Sequence, residues 1–571
     1  MNAKFSLSKI TVVIILLMAF LTIGKEEKWT TEQGYTFNDA AGYYAYLPAL
    51  FIYDFDLEEF EKRIGVKRNP ENGKLFTKYT SGNAYCYLPG FLLAHGAAHM
   101  GPWKTDGYSL PYQFAFALTA LVFLWMTLLL GRKILLQLYE EKVVAICLLI
   151  FFLGSNYFYY ATSYLSYSHL FSVFFILLYI RSIQLCLEEF NWNKALLFGF
   201  SAGMMTLIRP VDGLLIFLPL FLFNEGAFKE RIGYLWMHKK YILGTVLIAV
   251  LVWVPQLTYN YYVFENITIN TYLEESFFFT DPEMWKVLFS FNNGWLIYSP
   301  LMAFGIIGLV VKFLQRERFW AVFFLIYLFV ISSWWCWWYV GFGNRGMVNI
   351  GAFLLIPMGA GIQLLVKKKV THYGLIVVVI LGVTLNLYQS RQFEKGTIHY
   401  EGMNWETYKS VWLEEGTTLE FYDQLEPLDG EYALKGIDAT YKKYFDTIGQ
   451  EEFVKNGPIT ISNSPYFGEF KTETKSCNTL VAEARVGKDI DSLTIFCAPF
   501  GSECNIQPFG VTRTRKEKYD FIIRSYFRYN DTIPPCDSVM YFFANPKEKT
   551  AQLKSFKVWF LNKKEKLLFK E

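Results

Sequence analysis

Asn38–Phe51, NDAAGYYAYLPALF, places one carboxylate, Asp39, shortly after the first apolar segment and follows it with Tyr43, Tyr44 and Tyr46. A carboxylate beside a membrane is ordinarily a solvated loop residue, or the N-cap of the helix that follows. Ionisable groups count as functional by default only within the bilayer. Position alone leaves Asp39 open between these readings, so the rest of the chain has to decide what this stretch lies against.

On its N-terminal side, Ile10–Gly24 is apolar and preceded by Lys4 and Lys9. The following residues, FLTIGKEEKW, contain no small-x-small cleavage site, so the segment reads as a retained first span with a cytoplasmic N-terminus. On its C-terminal side, the polar region continues over about 25–110. It carries the charged patch DLEEFEKRIGVKRNPENGK and then KYTSGNAYCYLPGFLLAHGAAH. The apolar core of that last piece, about a dozen residues, suits an interfacial or re-entrant helix better than a crossing.

Segments long enough to cross come next: Gln113–Leu130, Val143–Tyr160, Tyr164–Ile180, Ala195–Ile208, Val211–Phe223, Tyr241–Tyr262, Trp295–Val311, Trp320–Val340, Met347–Val366 and Tyr373–Leu387. With the first segment they make about eleven crossings at ~20 residues each, some of them short. Arg209-Pro210 breaks one neighbouring pair. Composition agrees: 53% of residues are hydrophobic, 18% are charged, and mean hydropathy is +0.22, less charge than a soluble chain carries. Aromatics at 19% suit membrane interfaces. A net charge of +3 makes no case for nucleic acid.

Charge placement orders the spans. With the N-terminus inside, the inner loops hold Arg132, Lys133 and Lys142, then Lys194, then Lys229, Arg231, Lys239 and Lys240, then Lys312, Arg316 and Arg318, then Lys367, Lys368 and Lys369. The short outer loops are SNYFYYAT, the Arg209-Pro210 turn and GFGNR. Nearly all short-loop Lys and Arg thus fall on one side, as the positive-inside rule requires. An odd count puts both the Asp39 loop and the tail outside. The expectation is an integral protein of a bacterial inner (cytoplasmic) membrane, with a transmembrane domain at 1–389 and a linker at 390–415 with room for an amphipathic helix.

From about Gly416 to Glu571 the pattern changes to TLVAEARV, SLTIFCAPF, YDFIIRSYFRY, SVMYFFAN and LKSFKVWFL, separated by Asp, Asn, Pro, Gly and Lys. Period-two alternation between turn signals predicts an antiparallel sandwich or barrel, here an extracytoplasmic domain. Its four cysteines, Cys477, Cys497, Cys504 and Cys536, fit disulfides or buried thiols equally. No CxxC pair occurs.

Several polar residues stand out against this apolar background. Lys78-Tyr79 lies in the Asp39 loop, and its lysine reads as a snorkelling anchor or a phosphate-binding ammonium. Arg209 precedes Asp212 by three residues and reads as half of a helix-end ion pair, or as an anion site at the outer mouth. His169, in SYLSYSHLFSVF at the outer end of a span, reads as hydrogen-bonded structure before it reads as a catalyst. Trp334–Trp338 alone would be an aromatic belt, but the glycines that follow set Arg345 in a tight outer turn, where a guanidinium fork fits phosphate oxygens. His95 and His99 have metal-compatible spacing but no HExxH and no third ligand, so packing is the default. No Walker loop supports nucleotide use at the inner face.

The order of these pieces resembles the GT-C superfamily of integral-membrane glycosyltransferases, in particular family 39 and Rgt-type enzymes, relatives of protein O-mannosyltransferases and the aminoarabinose transferase of lipid A. The similar features run from residue 1 to about Gln389: NDAAGYYAYLP, KYTSGNAYCYLPGFLLAH, the YSH-containing span, the Arg209-Pro210 turn, NNGWLIYSPLMAFGIIGL, and WWCWWYVGFGNRG before a Pro-containing span. The sequence departs from many relatives where Asn38 and Ala40 flank Asp39, and where Thr80-Ser81 replaces a common Pro-Pro. The tail lies outside the shared core, and its last strands are similar to those closing jelly-roll carbohydrate-binding modules.

The resemblance implies a polytopic α-helical membrane fold of about eleven transmembrane helices and an inverting transfer at the outer face. Sugar would pass from a polyprenyl-phosphate donor to a lipid, glycan or protein hydroxyl. Asp39 would be the general base, because a hydroxyl is a poor nucleophile until its proton is taken. Lys78, Arg209 and Arg345 would bind the donor phosphate, and Tyr43, Tyr44, Tyr79 and His169 the substrate. No cofactor beyond the lipid-linked sugar is implied, and a divalent metal is left open. The alternative is a transporter or flippase with a path along Arg209, His169 and Arg345. That would call for two hydropathy-related halves, whereas one broken pair of segments is present. A membrane-anchored glycan-binding protein would leave the Asp39 loop and the GFGNR turn without a purpose.

Overall fold

A computed structural model describes residues 6–31, 34–54, 66–69, 71–222, 228–272, 277–280 and 282–418. In the tail it describes 421, 424–425, 445–454, 458–461, 466–473, 479–487, 494–500, 506–507, 512–516, 520–529, 538–544 and 551–563. The charged residues from Asp56 to Gly65, and Lys475, Cys477, Cys504 and Cys536, lie outside the described residues. The chain divides into two compact units, Met1–Thr418 and Leu419–Glu571.

The first unit is helical. Among the described residues, five of its helices are long and apolar enough to cross a membrane: Leu7–Glu26, Leu110–Leu136, His169–Glu188, Lys239–Phe264 and Lys369–Glu394. One of them turns its side chains opposite to those of a soluble bundle. Along Lys239–Phe264, Leu243, Leu247, Val250 and Leu251 are exposed while Thr245, Gln256 and Asn260 are buried. Apolar side chains turned outward over that length require a hydrocarbon solvent, so this is a membrane protein.

The other expected crossings are shorter or broken, each for a local reason. Val143–Tyr160 is two helices, Glu141–Phe152 and Tyr157–Thr162. At the break the Ser155 hydroxyl donates to Phe151 O at 2.6 Å and Asn156 Nδ2 donates to Phe342 O at 3.1 Å, the side-chain competition that ends helices. Trp192–Ile208 stops where Pro210 forces the preceding Arg209 into extended backbone, φ −143° and ψ 106°. The expected Val211–Phe223 span is a 3-10 stretch, Pro210–Phe217, and one short turn, Pro219–Leu222. Phe319–Ser332 ends where Ser332 and Ser333 donate back to Phe329 O, so Trp334–Val340 is not helical. Trp295–Tyr298 passes through a 3-10 turn at Pro300–Met302 into Ala303–Leu314, and Ile350–Leu365 follows. The expected dozen-residue interfacial segment is a 19-residue helix, Gly82–Met100.

Helix ends gather in two polar groups. In one, Arg132 pairs with Glu141 at 3.1 Å, and both bond Ser6 and Ser8. In the other, Lys28 bridges Ser163 O at 2.9 Å and Glu394 at 2.6 Å. Asp39, Arg209 and Arg345 belong to helix ends of this second kind: the far end of Leu7–Glu26, the start of His169–Glu188 and the ends of Trp192–Ile208 and Phe319–Ser332.

In the second unit the described strands all pair antiparallel. Counting a small first-loop hairpin, β1 (Val66–Arg68) with β2 (Leu75–Thr77), the strands are β3 (Phe445–Glu452), β4 (Ile459–Ile461), β5 (Tyr466–Glu473), β6 (Thr479–Gly487), β7 (Thr494–Phe500), β8 (Ile506–Gln507), β9 (Thr512–Lys516), β10 (Asp520–Tyr529), β11 (Ser538–Ala544) and β12 (Ala551–Lys563). One sheet runs β3-β12-β6-β10-β8, with β4 on β12 and β9 on β10; the other runs β5-β11-β7. Alternate residues of both sheets fill one core: Leu480, Ala482, Ala484 and Val486 from β6, and Val539, Tyr541 and Phe543 from β11. This is sandwich packing of half-buried sheets. A register shift between Leu553 and Ser555 brings Leu553 and Phe556, three residues apart, onto the same core side.

Candidate active site

The short helix Asp39–Tyr44 sets Asp39 and Tyr43 one turn apart, on one face. Tyr79 lies across that face. Its hydroxyl donates to Asp39 Oδ1 at 2.7 Å, and its ring stacks obliquely on Tyr43 at 4.4 Å between centroids. Such close approach requires Gly42, where a Cβ would collide with the Tyr79 ring. The Lys78-Tyr79 segment is held by three hydroxyls: Thr77 to Gly42 O at 2.9 Å, Tyr46 to Tyr79 O at 2.6 Å and Thr271 to Lys78 O at 2.5 Å. Lys78 Nζ lies over the rings of Tyr272 and Tyr79, at 5.1 and 5.4 Å.

Arg345 comes from the loop after Phe319–Ser332. The turn uses left-handed backbone at Gly343, φ 60°, and at Asn344, φ 39°. Asn156 binds the carbonyls of Phe342 and Gly343, Tyr160 accepts from Phe342 N at 2.9 Å, and Asn293 donates to Trp338 O at 2.8 Å. So braced, the Arg345 guanidinium lies 4.5 Å over the Tyr339 ring and 5.3 Å over that of Tyr167. Its Nη2 meets Asp39 Oδ2 at 2.7 Å, with the two side chains 14% and 19% exposed. Burial works to raise the Asp39 pKa. Arg345, the Tyr79 hydroxyl and Lys78 outweigh it and hold the carboxyl below its ordinary range, ionised. Burial and the Asp39 charge together push the Tyr79 phenol well up, so it stays a proton donor to Asp39.

Arg209 joins from the other side. Its Nη1 lies 3.3 Å from Ser168 Oγ and 3.4 Å from His169 Nε2. Ser168 Oγ also contacts the Tyr43 hydroxyl at 3.5 Å. The ion pair that the sequence allowed between Arg209 and Asp212 is replaced by a longer connection: Asp212 accepts from Ser172, Tyr327 and Asn349.

The structure thus brings Asp39, Tyr43, Tyr79, Arg345, Lys78, Arg209 and His169 to one end of the helical unit. Tyr44 is not with them. One residue on from Tyr43, it points about 100° round the helix into a cage of Phe91, Tyr108 and Phe116, its hydroxyl on Gly107 O at 2.6 Å. Arg345 was expected on a phosphate and here pairs with Asp39. Residues the sequence did not single out are Tyr167, Tyr339 and Asn349. A signal existed only for Asn349, an amide at the entry to an apolar helix.

Gly341–Gly346, GFGNRG, has the glycine spacing of a dinucleotide fingerprint, but it links two helices instead of leaving a strand, so the spacing has no such meaning here. His95 bonds Tyr112 at 2.5 Å and His99 at 3.2 Å. Among the described residues no group of three metal-ligating side chains converges.

No protein-family profile matches the chain, and no curated protein matches it. Solved structures of an Archaeoglobus fulgidus oligosaccharyltransferase are similar to it at low level. The apo form is 14% identical with a TM-score of 0.39, over 77% of this chain and 59% of that one. The archaeal oligosaccharyltransferase AglB, in complex with an inhibitory peptide and a dolichol-phosphate, is 14% identical with a TM-score of 0.39, over 73% and 60%. The form tethered to an acceptor peptide is 13% identical with a TM-score of 0.38, over 77% and 58%. The chain therefore spans about three-fifths of the length of these proteins.

Proposed function

We propose that the Asp39 cluster is the active site of an inverting glycosyltransferase that takes sugar from a polyprenyl-phosphate carrier and delivers it to a hydroxyl of a lipid, glycan or protein. The observation that carries this reading is the Asp39 carboxylate, held by Arg345 and Tyr79 and lined by tyrosine rings, with Lys78 and Arg209 at the same end of an apolar helix bundle. The order of sequence motifs supports it too. Asp39 takes the acceptor proton as the hydroxyl attacks the anomeric carbon from the face opposite the phosphate. The bond to the carrier phosphate breaks, and its electron pair leaves with the phosphate. Arg209 and Lys78 face the charge that develops there. Arg345 keeps Asp39 ionised before the acceptor arrives. Tyr43 and Tyr79 offer ring faces to the sugar.

The proposed topology has eleven passes, a cytoplasmic N-terminus, and the site and the C-terminal sandwich on the extracytoplasmic face of a bacterial inner membrane. The gathering of Lys28, Asp39, Arg209, Arg345 and Glu394 at one set of helix ends and of Ser6, Ser8, Arg132 and Glu141 at the other supports it. The test is turnover by the purified full-length protein of a panel of polyprenyl-phosphate sugars, with the anomeric configuration of the product read by NMR. Release of polyprenyl phosphate with inversion is expected. Transfer from a nucleotide sugar, and none from any lipid-linked donor, would overturn the proposal.

A further inference from the structure

Asp212 is fully buried, yet it touches no guanidinium in the site. Its carboxylate accepts from Asn349 Nδ2 at 3.0 and 3.3 Å, from the Tyr327 hydroxyl at 3.0 Å and from the Ser172 hydroxyl. These donors suit an ionised carboxylate, which can only accept. With its NH2 spent on Asp212, Asn349 presents Oδ1 to His169 Nδ1 at 3.0 Å. An amide oxygen cannot donate, so Nδ1 carries the ring proton. The lone pair is then on Nε2, which faces Arg209 Nη1 at 3.4 Å, and a guanidinium can only donate. With Asp212 ionised, each link in the chain has one polarity, and it runs from a buried anion to an arginine without the two meeting.

The difference from a direct ion pair is chemical. A carboxylate laid against a guanidinium occupies two of its N–H groups in a fork. Here Ser168 and His169 both engage Nη1, while Nε and Nη2 bond no partner among the described residues. Burial of a cation is compensated at a distance, and the fork itself is left for a ligand. We infer that Asp212 is a positioning residue, acting through Asn349 and a neutral, Nδ1-protonated His169 to hold Arg209 as the receptor for a phosphate-bearing head group. The inference rests on the donor-binding reading given above and adds to it the residues that set the site and the protonation state it requires.

The experiment uses the full chain in nanodiscs, with two readouts that need no sugar transfer. The first is 15N NMR of the histidine rings, the His169 signal being assigned by its loss in His169→Asn. The second is binding of a short-chain polyprenyl phosphate, with inorganic phosphate as the parallel probe. We expect the Nδ1–H tautomer at neutral pH in the wild type. We expect Asp212→Asn and Asn349→Ala each to lose that tautomer preference and to weaken polyprenyl phosphate binding about tenfold, at the low end for one charge-assisted hydrogen bond. Equal affinity for inorganic phosphate would assign the site to the free anion, and preference for the polyprenyl form to the lipid. An Nε2–H tautomer or an imidazolium in the wild type would overturn the inference. So would wild-type binding by both variants, whatever their melting temperatures. Asn349→Ala alters no charge and serves if Asp212→Asn does not fold. A protein with the predicted tautomer and binding but no transfer of sugar would keep the relay and remove the glycosyltransferase reading.

Discussion

Arg345 and Arg209 reach the same end of the helical unit and are held in opposite ways. Arg345 sits on a braced loop, sandwiched by tyrosine rings, with its charge spent directly on Asp39 at 2.7 Å. Arg209 sits on a proline-enforced turn, and its carboxylate, Asp212, is reached only through an amide and an imidazole. The first arrangement fixes the state of a carboxylate. The second leaves a cation whose Nε and Nη2 have no partner among the described residues. On the function proposed above, two arginines that look alike in sequence would divide a base-tuning task from an anion-binding one, and the division can be tested residue by residue.

The largest effect should come from Asp39→Asn. The amide keeps the size of the side chain but cannot take a proton, and general-base assistance is typically worth about 10²–10⁴ in rate. Transfer from lipid-linked sugar should fall by that much while donor binding stays near wild type. A variant that folds and transfers at the wild-type rate would move the base elsewhere. Asp54 is exposed, and Asp56 lies outside the described residues.

Arg345→Ala comes next, and pH separates it from Arg209→Ala. Asp39 is held below its ordinary pKa against the effect of burial, chiefly by Arg345. A depressed carboxylate contributes stability that is present above its unfolded pKa, ~3.9, and lost as pH falls through the folded value. Without Arg345, burial should win, and the acid limb of the transfer rate should move to higher pH. The rate loss should be about 10–150-fold, equivalent to one hydrogen bond to a charged group. Arg345→Lys should restore part of it, since charge survives while the fork is lost. Arg209→Ala should weaken donor binding and leave the acid limb in place. An identical pH profile for both variants would erase the distinction between the two arginines.

Gly42→Ala should be milder. The added methyl meets the Tyr79 ring, so either the ring leaves Asp39 or the helix shifts, at a cost of about 1–3 kcal/mol. Lower activity with a small loss of melting temperature is expected, and Gly42→Ala with Tyr79→Ala, which removes the ring, should be no less active than Tyr79→Ala alone. The smallest effect belongs to Tyr44→Phe, which removes one buried hydrogen bond to Gly107 worth about 1 kcal/mol. Stability should drop by that order and transfer should be unchanged. A tenfold loss of transfer would put Tyr44 back at the substrate.

The sequence by itself determined the apolar segments, the change to period-two alternation in the tail, and most residues of the candidate site. The reason is local: charge is costly in an apolar background, so Asp39, Lys78, Arg209 and Arg345 are visible wherever they fall, and strand alternation follows from the pleat. Only the tertiary structure decided where segments break and which side chains meet. Asn156 ends a helix because its amide finds Phe342 and Gly343 nearly two hundred residues away. Tyr44 leaves the site because neighbours in a helix point about 100° apart, which turns it into the Phe91, Tyr108 and Phe116 cage. Arg345 finds Asp39, and Asp212 finds Asn349 instead of Arg209, because those pairings are set by the packing of helices whose sequences carry no record of each other.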